Sequence, residues 1–158
     1  MTSTQRRLGG VLAVTAALLI GCREDATVKA SLGTQLAHPN GLQLMAPPGA
    51  TSQQRADGFA LTVGGESRTP LAIVVELAEA APVLASAQER TLGTAAVARS
   101  AVHQVAGGSG GVEYQLQAAT AARARWIVMT ATVQSERGEP SFVQAWEILA
   151  SARLATER

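Results

Sequence analysis

The sequence predicts an α+β domain with a mainly antiparallel sheet and a packing helix at its carboxyl end. Several short segments alternate apolar and polar residues, and this period of two is typical of half-buried strands. Glycine- and proline-rich turns separate these segments, which favours pairing between consecutive strands. Near the carboxyl end, apolar residues recur instead at the spacing of one helix face.

The strand pattern is clearest in segment 71–77. Leu71, Ile73 and Val75 fall on one face there, and the β-branched residues favour a strand over a helix. A glycine-rich run at residues 107–111 separates two strand-like segments, so a hairpin is expected across it. The predicted strands are residues 42–46, 59–63, 71–77, 95–105, 112–118 and 126–134, with a candidate edge strand within 23–37 and a polar loop at 50–58.

Two helices are expected between and after these strands. Pro82 can occupy the first position of a helix that runs to about Leu92 and stops at Gly93. A second helix opens at residues 139–141, where an acid and a proline suit the first turn, and it is expected to close the sheet. The apolar face of this second helix carries Phe142, Ala145, Trp146 and Leu149.

The amino-terminal segment has the pattern of an export signal. Arg6 and Arg7 precede an uncharged apolar run, which has the length of a signal-peptide core and is short for a membrane span. The run ends in Leu19-Ile20-Gly21-Cys22, which resembles the lipobox of bacterial lipoproteins. The predicted organisation is a signal peptide at 1–21, a lipidated Cys22 with a tether to residue 37, and a single globular domain at 38–158.

The lipobox resemblance implies attachment to a membrane through acyl chains on Cys22, with the domain facing the periplasm. Arg23 rather than aspartate follows the cysteine, which by the same resemblance favours the outer membrane over the inner one. Because Cys22 is the only cysteine, no thiol would remain for a disulfide, a metal site or a nucleophile.

The charge of the processed chain argues against nucleic acid as a partner. The whole chain has thirteen lysine and arginine residues and twelve acidic residues. Removal of residues 1–21 takes away Arg6 and Arg7, which leaves eleven basic residues and a formal charge of −1 on 137 residues. No cluster of lysine or arginine remains to contact phosphates.

The residues around each candidate catalytic pattern do not match what the corresponding chemistry requires. Residues 107–111 match G-x-S-x-G around Ser109, but a strand pattern follows where the hydrolase elbow needs a helix. No histidine follows His103, so the serine–acid–histidine order of those enzymes is excluded. His38 and His103 lack carboxylates at ligand spacing, and a packed or solvated role is favoured for both. The sequence therefore predicts no enzyme activity, no metal and no cofactor.

Framework segments resemble known envelope proteins. Residues 41–49, 58–63 and 138–154 resemble the PsbP/Mog1-type α/β/α sandwich of small envelope lipoproteins. Residues 107–118 and 138–146 are similar to the type VI secretion immunity lipoproteins. The first resemblance implies a PsbP/Mog1-like α/β/α sandwich, and the second implies a protein that binds and blocks a peptidoglycan-degrading effector in the periplasm.

Two functions are therefore weighed. The first is an immunity protein that places a loop in the cleft of a cell-wall hydrolase and carries out no chemistry itself. The alternative is an envelope assembly or maintenance lipoprotein that uses the domain as a non-enzymatic scaffold. A toxin-type gene immediately upstream would favour the first.

Two polar loops are the candidate partner-binding sites. Residues 64–69 carry Glu66, Ser67 and Arg68, and residues 107–111 carry Ser109. Loops held by a rigid sheet are common recognition sites because the scaffold fixes their ends. Ordinary solvated hairpin tips would show the same composition, so both interpretations stay open at this point.

Overall fold

The computed structural model describes residues 33–64, 69–93, 95–105, 111–136 and 138–156 of the 158-residue chain. Within these ranges the chain forms ten strands and one helix. The strands are β1 (Thr34–Ala37), β2 (Leu42–Ala46), β3 (Thr51–Gln54), β4 (Gly58–Val63), β5 (Leu71–Ala78), β6 (Gln88–Thr91), β7 (Val97–Val105), β8 (Val112–Ala122), β9 (Arg125–Ser135) and β10 (Arg153–Leu154). The helix α1 (Val143–Ser151) lies between the last two strands in the chain.

The strands form two antiparallel sheets. The larger sheet has seven strands in the order β3-β4-β5-β9-β8-β7-β6, and the smaller sheet has three in the order β1-β2-β10. The pairing is longest at the centre, where β8 and β9 run side by side from Val112 opposite Ser135 to Ala122 opposite Arg125. The expected hairpin across residues 107–111 is confirmed, because β7 pairs with β8 in antiparallel register.

One face of the larger sheet is buried against the smaller sheet and the helix. On β5, Ile73, Val75 and Leu77 are buried, whereas the residues between them are more exposed. This alternation is what a period of two produces when one face of a strand packs on a core. Buried side chains of β2, β4, β8, β9 and α1 join the same cluster. Strands are present at all six predicted positions, with small changes in their bounds.

The predicted fold class is wrong. The described chain is mostly strand and contains one nine-residue helix, so an α+β, PsbP/Mog1-like α/β/α sandwich does not describe it. The helix predicted from Pro82 to Leu92 is absent. Residues 81–87 have no regular structure, and Gln88–Thr91 forms the edge strand β6. This segment connects central β5 with edge strand β6, and its Val83 side chain is fully exposed, so it has no apolar face to pack as a helix.

The carboxyl-terminal helix is present but begins later than predicted. Phe142 precedes it with a left-handed backbone (φ 52°), which prevents the helix from continuing back to Glu139. The Phe142 side chain is buried in the core together with Ala145, Ile148 and Leu149. The helix therefore packs against the larger sheet through this apolar face, as its spacing predicts.

Two further features of the described chain concern its ends and edges. Residues 51–54, expected to be loop, form the exposed edge strand β3. Gly33, the first described residue, lies against Ala46 at the end of β2, and a Cβ there would overlap the Ala46 carbonyl oxygen.

Cys22 and the rest of the predicted signal and tether up to residue 32 lie outside the described residues. Among the described residues, no helix has the length and apolar character to cross a membrane.

Candidate functional site

Four connections meet at one end of the larger sheet, which we call the loop end. They are residues 47–50, 64–70, 106–111 and 136–142. Residues 64–70 join β4 to β5, and residues 106–111 join β7 to β8. Because β5 and β8 both pair with β9, these two connections open on either side of β9, about 10 Å apart by the usual strand spacing.

The predicted partner-binding residues belong to these two connections. Glu66, Ser67, Arg68 and Ser109 lie outside the described residues, so their roles stay predictions. The strand ends that carry them are described. Val63 is paired with Leu71, and Val105 with Glu113, so both connections leave the same end of the sheet.

Acidic side chains gather at the loop end among the described residues. Glu113, Glu136 and Glu139 lie at or beside its connections. The described arginines at the opposite end are Arg55, Arg123, Arg125 and Arg153. Two of these are paired, Arg55 with Glu76 at 3.5 Å and Arg125 with Glu79 at 3.3 Å between nitrogen and oxygen. Asp57, Glu76 and Glu79 lie at that opposite end as well, so carboxylates are present at both ends of the sheet.

An apolar groove lies at the base of the loop end. It is lined by residues of β4, β5 and β9 and by the connection into α1, with Gly64 and Thr69 at its side. The groove has a volume of about 390 Å³. Val143, the first residue of α1, is 54% exposed beside it. Such a groove can receive an apolar side chain from a partner. Its apolar lining residues are Val63, Leu71, Val133, Pro140, Phe142 and Val143.

The two histidines take structural or surface positions. The His38 ring is buried, with Nε2 at 2.9 Å from the Arg55 carbonyl oxygen and Nδ1 accepting a hydrogen bond from the Asn40 N–H at 3.2 Å. His103 is half-buried on β7, far from His38 in the strand order. Over the described ranges, no group of three histidine, cysteine, aspartate or glutamate side chains could hold a metal ion.

After the G-x-S-x-G pattern the chain continues as a strand and not as a helix. Gly111, its last residue, leads directly into β8, which pairs with β7 in a hairpin. A nucleophile elbow needs a strand-to-helix turn. The pattern therefore reflects a glycine-rich hairpin connection. Gly111 has φ 111°, a conformation that favours glycine.

Glu136 and Glu139 were not predicted as site residues. The sequence pattern assigned Glu139 to the opening of a helix, and nothing in the sequence joined either residue to the loop at 64–69. Their placement at the loop end follows from the strand order, because β9 lies between β5 and β8. No local sequence signal specifies that order, so sequence reasoning could not bring these residues to the loop end.

Comparison with known proteins agrees with one of the two resemblances. Residues 43–153 match the type six secretion immunity 3 domain. The chain is 42% identical to "Immune protein Tsi3" from Pseudomonas aeruginosa over 136 residues, which is 86% of this chain and 91% of that protein.

A solved structure shares the fold alone. It is a crystal structure of a protein from Bacteroides thetaiotaomicron VPI-5482, with a TM-score of 0.62 and 14% sequence identity. The alignment covers 80% of this chain and 50% of the other, so this chain spans about half the length of that protein. The domain match and the 42% identical relative cover most of the sequence. The chain belongs to the type six secretion immunity 3 family.

Proposed function

We propose that the protein is an immunity protein that neutralises a secreted cell-wall-degrading effector by binding it at the loop end. The family supports an immunity role and a protein partner. The observation that carries the proposed site is that two glycine-rich connections leave the same end of a rigid antiparallel sheet. Inhibition would come from covering the catalytic cleft of the effector, with no reaction carried out by this chain.

The loop end offers three kinds of contact to such an effector. The connections at 64–70 and 106–111 would supply polar contacts from Glu66, Ser67, Arg68 and Ser109. Glu136 and Glu139 would supply carboxylates, and the apolar groove at the base of the loop end would accept an apolar side chain. Charged contacts at the rim speed association, whereas an apolar anchor in a groove slows dissociation.

The protein is proposed to act from a membrane anchor in the periplasm. Cys22 would carry the acyl chains, and Arg23 favours the outer membrane. The uncharged run before Cys22 supports this placement, because its length suits an export signal. A peptidoglycan-degrading effector acts in the same compartment, so an anchored inhibitor would meet it there.

Inhibition of cell-wall hydrolysis tests this function. The probe is a peptidoglycan-degrading type VI effector, sought first in a toxin-type gene immediately upstream, and it is assayed on purified peptidoglycan with increasing amounts of the full chain carrying Cys22→Ser. We expect hydrolysis to stop near one protein per effector molecule. Full hydrolysis in the presence of excess protein would contradict the immunity role and leave the scaffold alternative.

A further inference from the structure

A cavity with mostly polar side chains in its lining adjoins β7 beside the loop end. Ser86 and Gln88 line one side of it, and β7 contributes Ser100 and residues 101–103. Glu139, which belongs to the loop end, also lines it. The volume of about 390 Å³ falls within the range of about 300–1,000 Å³ that is usual for small-ligand sites. We call this space the polar cavity.

The Ser100 hydroxyl is a buried polar group that has no hydrogen-bond partner among the described residues. Ser100 is only 8% exposed, and its side chain makes no hydrogen bond within that part of the chain. Every fully enclosed side-chain nitrogen or oxygen of the same residues has a partner, so the Ser100 oxygen is open to the cavity that Ser100 lines. Burial of a hydroxyl without a hydrogen bond costs free energy, which favours a ligand that supplies the missing bond.

Thr120 on the neighbouring strand β8 shows the contrasting case of a structural hydroxyl. Thr120 is 5% exposed, and its Oγ1 donates a hydrogen bond to the Val97 carbonyl oxygen at 3.1 Å. Ser100 is paired with Ala118, two residues before Thr120, so both hydroxyls belong to the same face of the sheet. The Thr120 hydroxyl therefore stabilises the fold, whereas the Ser100 hydroxyl remains available to a ligand.

The charge of the cavity lining favours a basic ligand. Of the described residues that line the cavity, Glu139 alone carries a formal charge when His103 is neutral. No described arginine forms an ion pair with Glu139, whereas Glu76 and Glu79 each have an arginine partner. An ammonium group carries the complementary charge and donates three separate hydrogen bonds, so it can satisfy a hydroxyl and a carboxylate together. The planar guanidinium of arginine suits a bidentate carboxylate instead.

We propose that the polar cavity receives a lysine side chain of the effector, whose ammonium group donates a hydrogen bond to Ser100 Oγ and pairs with the Glu139 carboxylate. This assignment rests on the proposed function and names one contact of it. The connection at 136–142 lines both this cavity and the apolar groove, so one partner can enter both. The alkyl part of the lysine would lie against the apolar residues at 101–102.

Titration with n-butylammonium, which has the structure of a lysine side chain, tests the cavity without any effector. The amine is added to the ¹⁵N-labelled full chain carrying Cys22→Ser, with 1-butanol as the uncharged control. We expect saturable shifts of the amide signals of residues 85–88 and 100–103 with the amine and none with the alcohol. Ser100→Ala is expected to weaken amine binding at least about tenfold at an unchanged melting temperature, because this hydroxyl has no partner to lose.

The matched control for the lost hydroxyl is Thr120→Val. It removes a hydroxyl that is hydrogen-bonded within the fold, so we expect a lower melting temperature and amine binding like wild type. Absence of amine binding, or amine binding that Ser100→Ala leaves unchanged, would overturn the cavity as an ammonium site. That result is independent of the immunity role, which the hydrolysis assay measures on the unchanged cavity.

The affinity for the effector of the hydrolysis assay tests the source of the ammonium group. Ser100→Ala and Glu139→Gln are each expected to weaken effector binding at least about tenfold, whereas Thr120→Val should bind like wild type at a temperature where it is folded. Wild-type effector affinity in Ser100→Ala, together with weakened amine binding, would overturn the effector as the source and point to a free amine. Inhibition by the wild-type protein would still support the proposed function in that case.

Discussion

The His38 ring links two turns through hydrogen bonds, at the end of the sheet opposite the loop end. It is hydrogen-bonded to the Arg55 carbonyl oxygen and to the Asn40 N–H, and it meets the Phe59 ring edge-on with 5.6 Å between centroids. Asn40 extends the link by donating from Nδ2 to the Asp57 carbonyl oxygen at 3.0 Å. Because both ring nitrogens have partners within the fold, His38 is a structural residue.

Replacing His38 should lower stability more than replacing the other histidine. His38→Ala removes two hydrogen bonds and a buried ring contact, so a loss of about 2–3 kcal/mol in the free energy of unfolding is expected. His103→Ala changes a half-buried surface position and is expected to cost less than about 0.5 kcal/mol. Urea unfolding at low protein concentration measures both. Equal losses would show that the His38 contacts contribute little.

The buried face of helix α1 contributes more to the stability of the fold than its tryptophan does. Ala145 and Leu149 are fully buried, and Ile148 is nearly so. Trp146 is only partly buried, and the guanidinium of Arg90 lies 4.5 Å from its ring centroid. The indole therefore makes a cation–π contact with Arg90, an exposed residue of β6, in addition to its contacts with the core.

Leu149 should therefore dominate the stability of this element. Leu149→Ala removes a fully buried side chain and is expected to cost about 2–5 kcal/mol. Val143→Ala is the control on the same helix, because Val143 is 54% exposed, and a change below about 0.5 kcal/mol is expected. Thermal unfolding compares the two. Similar melting temperatures for both variants would contradict the packing of α1 described above.

The strands that could be predicted from the sequence are those in which buried and more exposed residues alternate. In β5 and β9 the apolar residues alternate because one face packs on the core, so the pattern is visible in the sequence. Strands β3 and β6 are fully exposed, and their sequences TSQQ and QERT carry no alternation. They are strands because a neighbour pairs with them, which is a tertiary effect. This difference explains the missed β3 and the helix wrongly predicted at 82–92.

The loop end could be predicted only in part. Glycine content identified the connections at 64–69 and 107–111 from the sequence. Their common position depends on β9 lying between β5 and β8, and β9 follows both connections in the chain. No local signal specifies that order, so the position of Glu136 and Glu139 at the loop end was not visible before the fold was known.

At the scale of the whole molecule, the chain enters the fold at the loop end. Gly33 lies beside Ala46, at the end of β2 nearest the connection at residues 47–50. A tether of residues 22–32 would span at most about 40 Å when fully extended. An anchor at Cys22 would therefore keep the loop end within that distance of the membrane surface.

Cys22→Ser should release the protein from the membrane or leave it unprocessed. Each buried methylene of an acyl chain contributes about 0.8 kcal/mol, so two or more chains together hold a protein stably on a membrane. Metabolic labelling with an alkyne fatty acid should mark the unchanged protein and leave the variant unmarked. An unlabelled wild-type protein would rule out the proposed anchor.

The measurement that tests the central claim most directly is the affinity for the peptidoglycan-degrading effector used in the hydrolysis assay. The test variant combines Glu66→Ala and Arg68→Ala with replacement of residues 107–111. The matched control combines Glu79→Ala and Arg125→Ala, which removes an ion pair at the opposite end. We expect the loop-end variant to bind at least about 30-fold more weakly, equivalent to about 2 kcal/mol, at an unchanged melting temperature. The control should bind like wild type. Wild-type affinity in the loop-end variant, or an equal loss in the control, would contradict recognition at the loop end.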